Sequence, residues 1–267
     1  MTTYSHSKLA TFEQCPLKFK FRYIDRLKPD IEQTIEGYLG TKVHKTLEWI
    51  YNEILNKRTE EITLDEIIKY YALSWNKDYD NKIKIVKQEF TAEDYFNRGI
   101  KFLIDYFTTN SPFKDNTLET ETKFLLNLED GNTIIGYIDR LVHNKETNIF
   151  EVHDYKTSAT IKTQEELDKD RQLALYSLAI KDRFKEATEI YLVWHFLDFN
   201  QKLISKRTKQ QLELLKQEIT QLIKKIESTT SFFPCKTNLC EWCEFQSYCP
   251  VIQEEILSKN KEVQETL

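Results

Sequence analysis

Asp154 and Lys156 stand two residues apart in Glu151-Val152-His153-Asp154-Tyr155-Lys156-Thr157-Ser158, within a stretch whose composition predicts a strand. Residues i and i+2 of a strand project from one face, so acid and ammonium point together while Glu151, His153 and Tyr155 face the other way. Such a pair in a central strand is costly unless it is hydrogen-bonded or used. One strand earlier, Gly136-Tyr137-Ile138-Asp139-Arg140 places another carboxylate in an apolar run. Two carboxylates on neighbouring strands can hold a hard divalent cation, and a lysine beside them can orient or polarise a water. Each pair alone also reads as an ordinary ion pair, Asp154–Lys156 at the surface and Asp139–Arg140 at a strand end. Their recurrence in consecutive strands favours a site.

The rest of the pattern predicts an α/β core with an N-terminal helical elaboration. Ser5 or Ser7 can cap a helix running to Gln14, and Pro16 suits the first turn of the next, which carries Phe19 and Tyr23. From Gly40, the recurrence of Val43, Leu47, Ile50 and Ile54 marks a buried helical stripe. Amphipathic helices follow over Leu64–Trp75 and Asp94–Thr108. Strands are expected over Leu118–Leu128, Thr133–His143 and Asn148–Thr157, the first two joined by the hairpin signal Glu129-Asp130-Gly131-Asn132. A helix over Glu165–Lys181, strands over Glu189–Leu197 and Lys202–Lys206, and a helix over Thr208–Glu227 complete the order. On the Glu165–Lys181 helix, Gln172 and Tyr176 lie at i and i+4, hence on one face. The 267 residues are read as one domain: helical to about 115, the core over about 116–230, and a Cys-rich tail over about 231–267.

Charge and hydropathy narrow the function. With 38 Lys+Arg against 43 Asp+Glu the formal charge is −5, so any nucleic-acid contact must be local. Local basic candidates are Lys82, Lys84 and Lys87, Arg140, Lys162, Arg171, and the run Lys206-Arg207-Thr208-Lys209. Trp49, Trp75, Tyr79 and Phe90 could stack bases if exposed, although helical spacing reads most aromatics here as core. No apolar run reaches the ~20 residues of a membrane span, and no leader pattern opens the chain, so a cytoplasmic protein without membrane contact is expected.

Six pieces, in order, resemble the RecB-like branch of the PD-(D/E)XK nuclease superfamily, which holds the nuclease domains of RecB and AddB and the CRISPR-associated RecB-like exonucleases. They are Tyr4-Ser5-His6-Ser7-Lys8-Leu9 with Phe12 and Cys15-Pro16; Gly40-Thr41-Lys42-Val43-His44; Gly136 to Arg140; Asp154-Tyr155-Lys156-Thr157; Gln172-Leu173-Ala174-Leu175-Tyr176; and Cys240-x-x-Cys243 with Cys249-Pro250. The resemblance implies a restriction-endonuclease-like fold, a central mixed sheet flanked by helices. It implies Mg²⁺ or Mn²⁺ held by His44, Asp139, Asp154 and the carbonyl of Tyr155. Lys156 would position the attacking water and stabilise the pentavalent phosphate, and Gln172 and Tyr176 would orient the lysine or the phosphate. The implied reaction is hydrolysis of DNA phosphodiesters, at duplex ends or on single strands, leaving a 5′-phosphate. At the first cysteine, Leu17 follows Pro16 where CRISPR-associated members commonly carry Arg, which tilts the expectation toward a stand-alone exonuclease of repair or recombination. The alternatives are a CRISPR-associated nuclease of spacer adaptation and a catalytically silent DNA-binding scaffold. No Gly-x-x-x-x-Gly-Lys phosphate loop occurs, so a helicase or repair partner would act in trans.

Cys235, Cys240, Cys243 and Cys249 crowd the C-terminal region, a spacing that suits metal better than disulfides. By spacing alone these four can form a local Zn²⁺ knuckle. The resemblance implies instead a [4Fe–4S] cluster on Cys15, Cys240, Cys243 and Cys249, stapling the two ends of the chain.

Overall fold

A computed structural model describes residues 2–58, 60–255 and 258 of this chain. Its centre is a mixed sheet built from β1 (Thr3–Ser5), β2 (Thr117–Asn127), β3 (Thr133–Asn144), β4 (Ile149–Lys156), β5 (Glu189–Phe196) and β6 (Gln201–Lys206). The order is β1-β3-β4-β5-β6, with β2 against the other edge of β3. The β2–β3 hairpin turns through Gly131, whose φ of +82° is the conformation that favours glycine. On its second edge β3 is shared. Parallel β1 pairs with residues 133–135 and antiparallel β4 with residues 140–144, so residues 136–139 have no ladder partner on that side. The sheet is therefore split where Asp139 emerges.

Helices α1 (His6–Gln14), α7 (Arg171–Arg183) and α8 (Lys209–Ser228) cover one face. Their apolar stripes, with Leu9, Leu173, Tyr176, Ile219 and Ile223, meet Ile134, Phe150, Val152 and Trp194 of the sheet in the main core. On the other face α3 (Ile35–Leu55), α4 (Leu64–Asp78) and α5 (Ala92–Asn110) build a second core from Leu39, Val43, Leu47, Ile67, Tyr71 and Phe102, into which Tyr155 of β4 projects. Thr63 and Thr91 cap α4 and α5 through reciprocal capping boxes with Glu66 and Asp94. β4 thus lies between two cores.

Three expectations need correction. The first strand, β1, was not expected; three residues are too short for a periodicity signal, and tertiary pairing makes it a strand. α3 starts at Ile35, ahead of Gly40, because Thr34 caps it through the amide of Gly37 at 3.3 Å. The segment read as one helix over Glu165–Lys181 is two, α6 (Gln164–Asp168) and α7. Lys169 closes the first and Asp170 caps the second, the Asp170 carboxylate accepting from the amides of Gln172 (2.9 Å) and Leu173 (3.4 Å). That break aims α7 at the end of β4.

The chain ends meet. Cys15 caps α2 (Pro16–Phe19), with Pro16 in its first turn, and Leu17 N donates to Phe233 O at 3.2 Å. Asp30 accepts from the amide and hydroxyl of Ser247 at 2.8 and 2.6 Å. The Cys-rich tail, read to Leu267, is described to residue 255 and at Ser258; its remaining residues lie outside the described ones.

Gly99 is where α5 passes α4. A Cβ there would lie inside van der Waals reach of the Tyr71 ring and hydroxyl and 2.9 Å from Leu39 Cδ1. Alanine gains about 1 kcal/mol of helix propensity, whereas forcing an extra methyl into a packed core costs about 1–3 kcal/mol. Gly99→Ala should therefore destabilise the protein by up to about 2 kcal/mol in urea unfolding; a raised midpoint at unchanged m would contradict this packing.

Candidate active site

The end of β4 gathers the sequence-predicted residues from three directions. Asp154 is 3% exposed, and its Oδ2 lies 2.7 Å from Lys156 Nζ, so the pair is co-facial. Gln172, on the first turn of α7, accepts from Lys156 Nζ at 3.1 Å and donates to Asp154 Oδ1 at 3.2 Å. The same amide nitrogen stands 3.1 Å from the hydroxyl of Tyr176, one turn on. Gly136 makes room for this: a Cβ there would collide with the ring of Phe124 and lie 3.1 Å from Tyr176 Cε1.

His44 reaches the same place from α3. Its Nε2 donates to the carbonyl of Tyr155 at 2.7 Å, and its Nδ1 is 3.4 Å from Asp139 Oδ2. The amide of Tyr155 donates to that same carboxylate oxygen at 2.9 Å. One peptide unit thus binds Asp139 through its N–H and His44 through its C=O.

A further acid joins them. Glu121 lies on β2 with φ of +44°, and its carboxylate comes within 4.8 Å of ligand atoms of both His44 and Asp139. Sequence analysis missed it inside the polar run Glu119-Thr120-Glu121-Thr122. The signal was in the hairpin register: Thr120↔Arg140 and Thr122↔Ile138 bracket Glu121 opposite Asp139.

Burial and mutual repulsion set the charge states. Burial lifts the Asp154 carboxyl to about 6, against the pull of Lys156. Burial first and then Asp139 push Glu121 up to about 7. Burial opposes charging His44, yet the Asp139 carboxylate and its hydrogen bond outweigh it and raise the imidazole to about 9. An imidazolium donating from both nitrogens fits the two contacts of its ring. Lys156 is likewise raised, because Asp154 outweighs its burial, and it stays an ammonium at neutral pH.

The opposite side of β4 is anchored by a buried polar network. Arg140, 2% exposed, donates to the Tyr155 hydroxyl at 2.9 Å, to His153 Nδ1 at 2.8 Å, and to Asp115. Tyr106 bridges the Tyr155 and Tyr51 hydroxyls at 3.1 and 2.6 Å. Burial and Arg140 hold His153 neutral, well below its ordinary range. Arg140 is therefore no DNA contact, as its charge allowed, and it pairs with Asp115, not Asp139. Trp75 is buried and Trp49 stacks on Tyr70 at 4.6 Å, so they read as packing residues; Phe90 is exposed.

The donor set suits a hard divalent cation. Ligand atoms of His44, Glu121 and Asp139 lie within 4.8 Å of one another, with the Tyr155 carbonyl against His44; Asp154 is outside that group, and its Oδ2, buried beside Lys156, has no aligned hydrogen bond. Beside the group opens a cleft of about 640 Å³ lined by Gly40, Thr41, His44, Lys45, Glu48, Glu121 and Tyr137. All five cysteines line another, separate cavity between residue 14 and the tail.

No curated protein matches this chain. Among solved structures, a protein of Eubacterium rectale with a provisional exonuclease designation superposes with a TM-score of 0.55, at 11% identity, over 88% of this chain and 85% of that one. The structure of SSO0001 shares 15% identity over 94% of this chain and 86% of that one, at a TM-score of 0.44. The sequence pattern of the PD-(D/E)XK nuclease superfamily matches residues 3–250. With the split sheet, the acid–x–lysine strand and that match over nearly the whole chain, this protein belongs to the PD-(D/E)XK nuclease superfamily.

Proposed function

We propose that the chain is a divalent-metal-dependent DNA exonuclease of the stand-alone RecB-like kind, acting on single strands or duplex ends in repair or recombination. The observation that carries this is the convergence of His44, Asp139, Asp154 and Lys156 on the Tyr155 peptide. His44, Asp139, Asp154, Glu121 and the Tyr155 carbonyl would hold Mg²⁺ or Mn²⁺. Such a cation polarises a phosphoryl oxygen and acidifies a bound water. Lys156, charged at neutral pH, holds the attacking water and stabilises the extra negative charge on the phosphate as the new P–O bond forms and the old one breaks. It is not the base. Gln172 fixes the lysine and Asp154 relative to each other, and Tyr176 fixes Gln172. The products are a 5′-phosphate and a 3′-hydroxyl. A motor that opens duplex DNA would be supplied in trans.

The cysteines support a structural [4Fe–4S] cluster on Cys15, Cys240, Cys243 and Cys249. Cys15 Sγ accepts from Cys235 N at 3.4 Å, so the two ends of the chain already meet there. All five cysteines line one cavity, so a Zn²⁺ knuckle through Cys235 is the alternative that the metal content decides.

Three outcomes test these assignments. End-labelled linear DNA should be shortened with Mg²⁺ or Mn²⁺ and spared in EDTA, circular single strands should persist, and Lys156→Ala should lose at least about 10²–10³ in rate with the fold intact. Equal cutting by that variant would overturn the site, and equal cutting of circles would overturn exonuclease action.

Divalent binding should expel a proton, because an imidazole raised to about 9 is protonated at neutral pH and must be neutral to ligate. Mn²⁺ affinity should thus climb as pH rises toward 9, and calorimetric enthalpies should vary with the buffer's ionisation enthalpy. Asp139→Asn and Glu121→Gln should each weaken binding; affinity unchanged in both, with no proton released, would contradict the ligand set.

Protein purified without oxygen should be brown. Cys15→Ser should bleach it and loosen the N-terminal helices to proteolysis, while Cys235→Ser should keep the colour. Colourless protein with stoichiometric Zn²⁺ and the reverse sensitivity would establish the knuckle instead.

A further inference from the structure

The outward face of the β2–β3 hairpin leads away from the metal-ligand group and exposes apolar and aromatic side chains. Glu121, Lys123 and Leu125 alternate with the buried Phe124 and Leu126, so they share the side of β2 turned away from the main core. Tyr137 pairs with Lys123 and Ile135 with Leu125 across the ladder, which puts them on that face too. Leu125 is 56% and Tyr137 52% exposed, an apolar and aromatic strip beginning two residues from Glu121 and Asp139. Tyr137 also lines the cleft shared by His44, Glu121, Gly40, Thr41 and Lys45, so the strip and the candidate active site are continuous.

Its cations are free as well. On α3 beside it, Lys42 is claimed by Asp78 at 2.5 Å. Lys45 and Lys123, both exposed, form no ion pair among the described residues. An exposed aromatic flanked by unpaired lysines is how sequence-tolerant single-strand binders hold a base and its phosphates. Residues two apart in a strand are about 6–7 Å apart, the scale of one nucleotide of an extended strand. The acids of the cleft, Glu48 and Glu121, lie toward the metal ligands and would repel a phosphate that entered without a cation.

We propose that this face is a base-stacking subsite for an unpaired nucleotide of the substrate strand. Tyr137 takes the base beside the scissile phosphate, Lys45 and Lys123 take the backbone, and Leu125 takes the next base. A base inside a duplex has both faces covered by its stacked neighbours, so the subsite favours unpaired nucleotides over duplex interiors. This rests on the nuclease reading above.

The test is a cycle of protein and substrate changes on an end-labelled oligonucleotide with Mn²⁺. Tyr137→Ala should raise KM for the single strand by about fivefold to 150-fold, the range of losses when a stacking aromatic is removed, while kcat changes little. Tyr137→Phe should behave as wild type. In the wild-type protein, an abasic site at the nucleotide beside the scissile bond should cost the same factor, and combining it with Tyr137→Ala should add nothing further. Lys45→Ala and Lys123→Ala should each flatten the salt dependence of KM. Unchanged KM in Tyr137→Ala, or losses that multiply when the two changes are combined, would overturn the stacking site while leaving the nuclease intact. A wild-type protein that cuts neither oligonucleotide would remove the nuclease reading and this subsite with it.

Discussion

The peptide of Tyr155 is the joint on which the site depends. Its N–H holds Asp139, its C=O holds His44, and the residues on either side of it are Asp154 and Lys156. Its side chain goes the other way, into the helical core, where Arg140 and Tyr106 bind the hydroxyl. A strand end is ordinarily free to fray. Here it is clamped from both faces, so side chains from α3, β3 and β4 keep one geometry. The split in β3 serves the same end, since an unpaired edge at residues 136–139 lets Asp139 turn toward the Tyr155 amide.

Burial and neighbouring carboxylates shift the charge states of the clamp. Glu121 and Asp154 are raised to about 7 and about 6, so the folded protein binds protons there that the unfolded chain has released. Stability from these groups is present at low pH and is lost as pH climbs from about 4 through those values. His44, raised to about 9, contributes below its ordinary value and loses its contribution as pH rises through 9. The imidazolium spans an acid and a carbonyl as a cation would. A divalent ion held as proposed would take the place of that proton, which would couple its binding to pH.

Much of this was legible in the chain. Parity placed Asp154 and Lys156 on one face, helical spacing put Gln172 with Tyr176, and the Glu129–Asn132 turn announced the hairpin. What stayed hidden depends on tertiary pairing. β1 is a strand only because β3 offers it an edge, and α7 begins at Arg171 only because Asp170 turns its carboxylate to the next amides. Glu121 looks like one polar residue among several until the hairpin register sets it against Asp139. Arg140 misled for the opposite reason: a charge in the sequence does not say that its guanidinium has gone inside, held by Asp115, His153 and Tyr155.

The central claim is that the groups around the Tyr155 peptide form one cation site. A crystal structure of the protein soaked in Mn²⁺, with anomalous scattering recorded at the manganese edge, tests it most directly. The account predicts an anomalous peak bonded to His44, Asp139, Asp154 and the Tyr155 carbonyl, with Glu121 directly on it or one water away and the Asp154–Lys156 contact rearranged. Saturating Mn²⁺ with no peak there, and His44 still donating to both Asp139 and Tyr155, would contradict it.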